Sequence, residues 1–229
     1  MARPTVAFLD VNDTLSDLAS VEPAFVDAGL RAEDVRIWYL SVLRDGFALT
    51  VLGDAADFAE LGQSQLRSML RLADRSRDVK SADVVASGLM RSFIDAAPHL
   101  DVVPGITALA GAGLRVYTLS NGSADVARRL LGSTDAGPAI TDYLAAADGG
   151  AWKPAPASYR HGLQVAGVDA PEALMVAVHP WDLEGARRVG LQTAWINRDG
   201  ADYPDAFASP DHTVASFTDL GPEIDSHHS

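Results

Sequence analysis

Four places in this sequence put polar or charged side chains where a short apolar run stops. Asp10 follows Val6-Ala7-Phe8-Leu9, with Asn12, Asp13 and Thr14 close behind it. Ser120 and Asn121 follow the run 114–119 (LRVYTL), Lys153 precedes a helical stretch that carries Tyr159, and the run 173–178 ends in His179-Pro180-Trp181-Asp182. A carboxylate at the end of a buried strand can attack as a nucleophile. A lysine between Asp10 and Asp182 would keep both ionised. Each feature also has a plainer reading: Asp10 opens a turn that Thr14 caps, Ser120-Asn121 caps a helix, Lys153 is solvated, His179-Pro180 is a loop, Trp181 is core packing, and Asp182 is an N-cap. Four such features at the ends of successive strands argue for one site.

The elements that must bring them together follow from the pattern. The run 6–9 reads as a strand buried on both faces. After Leu15, apolar residues recur three and four apart over 22–30, 33–52, 54–73 and 81–97, with Gly53 and the polar cluster 74–80 as breaks. We expect an all-helical insertion there. From Pro104 the rhythm alternates: helix 104–113, strand 114–119, helix 124–131, an ambiguous stretch 140–146, helix 155–166, strand 173–178, helix 183–189, strand 192–196, and a short strand near 213–215 before a terminal helical stretch. Alternating strands and helices give a mostly parallel sheet with crossover helices. The ends of such strands converge on one crevice. The terminal run Ser226-His227-His228-Ser229, with only two histidines, is a poor metal site.

Composition limits the function classes. The chain has 229 residues, 48% of them hydrophobic, enough for a sizeable core. Its formal charge of -13 argues against nucleic acid and against an anionic membrane surface as partners. Cysteine is absent, which excludes disulfides, thiolate zinc sites and a cysteine nucleophile. MARPTVAF does not read as a secretory signal, and no apolar run is long enough to span a bilayer, so a cytoplasmic protein is expected.

Taken in order, Asp10-Val11-Asn12-Asp13-Thr14, Ser120-Asn121-Gly122, Lys153-Pro154 and Asp182 resemble the four motifs of the haloacid dehalogenase superfamily. TLSNGS, KPAPASY and WDLEGARRVGLQTAWINR look closest to the type II L-2-haloacid dehalogenases. The resemblance implies an α/β fold: a Rossmann-like, doubly wound parallel sheet over 1–15 and 100–229, with an inserted helical cap domain over 16–99. It implies hydrolysis of a carbon–halogen bond of a small 2-haloalkanoic acid, with water as co-substrate and an ester on Asp10 as intermediate. Thr14 would orient Asp10, Lys153 would pair with it, and Asp182 would orient Lys153 and help activate water. Ser120 and Asn121 would hold the substrate carboxylate, and Val11, Tyr159 and Trp181 would line the site. A homodimer through cap helices is also implied.

Several positions depart from that family's pattern. Asn12 stands where the superfamily's phosphatases carry an acid and the dehalogenases a tyrosine. Val178 stands where phosphatases carry a metal-binding acid, which leaves Asp182 alone and makes Mg²⁺ doubtful. A halide leaving group needs neither proton nor metal, so no cofactor is expected. In the cap, Tyr39 follows Trp38 where the dehalogenases have an arginine. Arg44 is the candidate replacement, with a solvated surface arginine as the alternative. His179 replaces an asparagine, and is either a base or donor in the reaction or a structural ring. The competing readings are a Mg²⁺-dependent phosphatase of a small metabolite and a catalytically weak relative that binds a ligand or partner.

Overall fold

The computed structural model describes residues 3–54 and 56–226. The chain begins with strand β1 (Val6–Leu9), whose four side chains are all buried. It pairs in parallel with β2 (Arg115–Ser120) on one side and β4 (Ala173–Ala177) on the other. Outside these lie β3 (Ile140–Ala145) and β5 (Gln192–Ile196), with β6 (His212–Val214) at the far edge, giving the order β3-β2-β1-β4-β5-β6. All pairings are parallel. The order runs outward from β1 in one direction and then from β4 in the other. The β1/β4 boundary is therefore the switch point where open α/β sheets form a crevice. Leu9 stands level with Thr118 and Val176, so Asp10 leaves the sheet between the ends of β2 and β4.

The alternation of side chains along β1 builds the two faces of this layer. Ala7 and Leu9 pack with Val116, Ile106 and Phe217 on one face, while Val6 and Phe8 pack with Tyr117, Tyr159 and Met175 on the other. Helices cover both faces. They include α5 (Val102–Gly111), α6 (Ala124–Leu131), α7 (Pro156–Ala166), α8 (Pro180–Val189) and α9 (Phe217–Ser226).

Between β1 and β2 the described residues are helical, as the spacing predicts: α1 (Glu22–Asp27), α2 (Asp34–Leu52), α3 (Phe58–Ala73) and α4 (Val79–Ile94). Trp38 of α2 is the centre of their own core. It meets Phe93 and Phe58 edge-on and donates its indole N–H to the Gly62 carbonyl at 3.0 Å. Capping moves two helix starts from their expected positions. The Asp57 carboxylate accepts from the Glu60 N–H, so α3 begins at Phe58 rather than near residue 54. Asp78 accepts from the Ser81 N–H, so α4 begins at Val79. The ambiguous stretch 140–146 proves to be strand β3, partly exposed and with a shifted register against β2. His179-Pro180 is not a free loop: Pro180 opens α8, where its missing N–H costs nothing, and His179 sits at the N-cap. No helix among the described residues is long and apolar enough to cross a membrane. The terminal His227, His228 and Ser229 lie outside the described residues.

The α/β layer reaches into the helical one. Trp152, next to Lys153, is fully buried in the core around Trp38 and donates its indole N–H to the Ala56 carbonyl at 2.8 Å. Its ring lies directly against Gly46 of α2, where a Cβ would overlap it.

Candidate active site

Asp10 meets charged or polar partners from three other segments. Its Oδ1 accepts from Lys153 Nζ at 2.9 Å. Its Oδ2 accepts from the Thr14 hydroxyl at 2.6 Å and faces His179 Nδ1 at 3.1 Å. Thr14 Oγ1 in turn accepts from the Val178 N–H at 3.2 Å, so its own proton is free to point at Asp10. Lys153 also reaches Asp182 Oδ2 at 2.6 Å, and the Tyr159 hydroxyl donates to Asp182 Oδ1 at 2.6 Å. The Lys153 side chain is 0% exposed and is held between two carboxylates that are themselves buried.

Burial opposes ionisation at every one of these groups, and the partners decide the balance. Burial raises the Asp10 carboxyl, but Lys153, His179 and Thr14 outweigh it and hold Asp10 well below the usual carboxylate range. Burial disfavours charged Lys153, and the two facing carboxylates more than restore it, so it stays protonated. Asp182 moves the other way: burial and the nearby Asp10 charge raise it, and Lys153 and Tyr159 offset this only in part. Asp10 is thus a committed anion, while Asp182 is the carboxylate more ready to take a proton.

His179 has its own pair of acids. Nδ1 faces Asp10, and Nε2 lies 3.5 Å from Asp13 Oδ2. Burial opposes the charged ring, but both carboxylates outweigh it and push His179 up to about 9. Trp181 stacks on the ring with centroids 5.1 Å apart, and Tyr39 stands on another side at 6.1 Å. With both nitrogens turned to acids, His179 is set up as a donor in the resting site.

Other expected residues are placed less simply. Tyr39 is buried and donates to the Asn12 carbonyl at 3.3 Å, closing the helical layer onto the loop after β1. Asn12 lines a cleft of about 280 Å³ between the two layers, with Phe58, Met90, Phe93, Asn121 and Gly122. Ser120 Oγ accepts from the Gly122 N–H at 3.0 Å, leaving its hydroxyl proton available. The Asn121 side chain is not available. Its amide donates to the Lys153 carbonyl at 3.0 Å and its oxygen accepts from the Lys153 N–H at 2.8 Å, so it fixes the lysine's backbone instead. Val11 points into the core beneath the sheet and does not line the cleft. Arg44 does not join the cluster: its side chain is 69% exposed and paired with Asp45 at 2.7 Å. Its surroundings are an apolar groove on α2 instead. Asp13 is the residue that sequence reasoning takes only as a turn former. Its one sequence signal is its place in the run just after Asp10.

The residues do not suit Mg²⁺. Lys153 Nζ lies between the two carboxylates that a cation would have to bridge, and both Asp182 oxygens and Asp10 Oδ2 already accept from side chains. A hard cation needs about six oxygen ligands. No group of three or more acids and histidines suited to a metal occurs among the described residues.

Known proteins share this arrangement of layers. A solved structure described as a dehalogenase with an intermediate complex matches at a TM-score of 0.86 and 27% identity, over 97% of each chain. The (S)-2-haloacid dehalogenase 4A of Burkholderia cepacia is 29% identical over 218 residues, spanning 93% of this chain and 91% of that enzyme. The (S)-2-haloacid dehalogenase H-109 of Pseudomonas putida is 26% identical over 214 residues, spanning 93% and 92%. The family model for haloacid dehalogenase-like hydrolases runs over residues 4–190, from before the strand that presents Asp10 to past the helix that begins beside His179. The chain belongs to that family.

Proposed function

We propose that this protein hydrolyses the carbon–halogen bond of a small 2-haloalkanoic acid through an ester on Asp10, without a metal. The observation that carries this reading is the Lys153 clamp. A buried ammonium leaves Asp10 ionised and directed, and Asn12 and Val178 stand where metal-dependent relatives of the superfamily carry acids. The Asp10 oxygen displaces halide from the carbon next to the substrate carboxylate, and water then cleaves the ester at Cγ. Neither step requires a proton on the leaving halide.

In this reading Ser120 donates its free hydroxyl proton to the substrate carboxylate, with the main chain at Asn121 beside it. Asp182 and Tyr159 hold Lys153, and Asp182 takes part in water activation. The mostly apolar cleft with Phe58, Met90 and Phe93 adjoins the site through Asn12 and Asn121 rather than being lined by Asp10, and it suits a short haloalkyl chain. The helical segment 16–99 acts as a cap on the core formed by 1–15 and 100–229, and Tyr39 and Trp152 tie the two together. We assign the activity to the cytoplasm and to a homodimer. Support for the dimer comes from an apolar groove on α2, lined by Leu40, Leu43, Phe47, Val51, Leu52 and Trp181.

The test is halide release from haloacetates and 2-halopropionates, with EDTA and with added Mg²⁺, comparing the native chain with Asp10→Asn. We expect release that survives EDTA and is lost in the variant. No release, together with Mg²⁺-dependent hydrolysis of a phosphate ester, would restore the phosphatase. Silence in both assays would favour a ligand-binding relative.

A further inference from the structure

The hydrogen bonds around Asp10 distinguish its two oxygens. A carboxylate oxygen offers two in-plane lone pairs. Both on Oδ2 are taken, by Thr14 at 2.6 Å and by His179 Nδ1 at 3.1 Å, whereas Oδ1 meets Lys153 alone. We infer that Oδ1 is the attacking atom, and that the Thr14 hydroxyl and His179 Nδ1–H form an oxyanion hole on Oδ2, with Asp13 holding His179 in its donating form. This rests on the haloacid reading above and deepens it.

An Oδ1 lone pair forms the new C–O bond as the C–halogen bond breaks, and the halide leaves with its electron pair. Water then adds to Cγ, and the Cγ–Oδ2 π pair moves onto Oδ2, where the Thr14 and His179 protons already point. Collapse re-forms the carboxylate from Oδ2 and the water oxygen and breaks the Cγ–Oδ1 bond. One water proton ends on Oδ1 of the departing hydroxy acid and the other leaves to solvent. Donors fixed in advance at a developing oxyanion are worth far more in a buried site than in water.

Asp13 is what makes a histidine fit this role. Esterification removes the Asp10 charge, so the imidazolium then depends on Asp13 Oδ2, 3.5 Å from Nε2. Asp13 is held in a left-handed backbone conformation, φ 67°, a costly state for a residue other than glycine and one that persists where the surroundings fix it. Ser16 Oγ accepts its N–H at 3.3 Å, and Arg36 approaches its carboxylate at 3.9 Å. The other ionisable groups facing the ring are Tyr39 from α2, Lys153 and Asp182 across Asp10, and His99, Arg198 and Asp199 around an adjoining cavity of about 220 Å³. Arg198 is already paired with Asp101, and that leaves Asp13 as the acid in contact with Nε2.

The experiment uses bromoacetate and follows halide release and the Asp10 ester by rapid quench and mass spectrometry. His179→Gln is expected to release one halide per chain, then stall with ester accumulating, as ester hydrolysis slows about 100-fold. In the native chain, single-turnover ester hydrolysis should fall as pH rises, with a midpoint between about 6.5 and 9. Asp13→Asn should move that midpoint to lower pH. A general base at His179 would instead make the rate rise as the ring loses its proton, which overturns the proposal. So does a His179→Gln chain that hydrolyses its ester at the native rate or loses the first halide burst. If that variant does not fold, the native and Asp13→Asn pH profiles decide. A native chain that releases no halide from any haloacid overturns the haloacid reading itself; a native chain that turns over while the variants fail these expectations overturns the oxyanion hole alone.

Discussion

Lys153 Nζ lies 2.6 Å from Asp182 Oδ2, closer than its 2.9 Å approach to Asp10 Oδ1, so the lysine is anchored on Asp182 rather than on the proposed nucleophile. An ammonium seated this way can follow Asp10 through ester formation without losing its counter-ion. It also separates two buried carboxylates that would otherwise face each other.

Removing that cation should therefore cost stability as well as activity. Lys153→Met leaves two buried carboxylates, Asp10 and Asp182, without their cation, and we expect a loss of about 3–5 kcal/mol in urea unfolding at pH 7. Part of it should return at pH 5, because Asp182, already raised by burial, then takes up a proton. A variant as stable as the native chain at pH 7 would mean that the clamp carries no structural load.

His179 sets an alkaline limit on stability. Its folded value is raised from 6.5 to about 9, so its contribution is fully present below pH 6.5 and is lost as pH rises through about 9. At about 1.4 kcal/mol per pH unit, the whole effect is about 3–4 kcal/mol. Asp10 acts at the other end: its carboxyl is held down, so its contribution is present above its ordinary 3.8 and is lost as pH falls below it. Urea unfolding between pH 6 and 10 should show the alkaline loss in the native chain and lack it in His179→Asn.

The contact between Gly46 and Trp152 couples the helical layer to the lysine. A methyl group at Gly46 would overlap the Trp152 ring, so Gly46→Ala should lower stability by about 1–3 kcal/mol and reduce halide release by displacing the residue next to Lys153. Gly111→Ala at the end of α5 is the control. Nothing lies within 4 Å of its Cβ position, so thermal unfolding and turnover should be unchanged or slightly improved.

The apolar groove on α2 predicts association. Val51 is 86% exposed, and Leu40 and Leu52 beside it are also exposed. A dimer that buries them should dissociate on Val51→Asp, read as a halved mass in sedimentation with the helical signal intact. A native chain that is monomeric at high concentration would remove the dimer from the account.

Asp10 was legible in the sequence because an apolar run marks a buried strand and the residue at its end must emerge at the sheet's edge, while Lys153 and Asp182 were legible from their places at the starts of helical stretches. Alternation of strands and helices then requires parallel neighbours, which brings those ends together. The helical insertion was legible for the same reason, since a period of three and four residues identifies a buried helix face without knowledge of its partner. Its boundaries were not, because Asp57 and Asp78 had to be seen accepting backbone protons. Arg44 shows the limit from the other side: spacing places it on α2, but the rotation of that helix against the core turns it toward Asp45 and solvent. Asn121 stands beside the cluster, but its side-chain amide is spent on the Lys153 backbone, which the sequence does not reveal. His179 could be placed at the site from the sequence, but its pairing with Asp10 on one side and Asp13 on the other could not. Which acids flank a histidine depends on the β1/β4 adjacency and on a left-handed turn at Asp13, and neither leaves a periodicity in the chain. The pattern of burial is a property of each segment alone, whereas the protonation and direction of a buried polar group belong to its neighbours, which only the folded chain supplies.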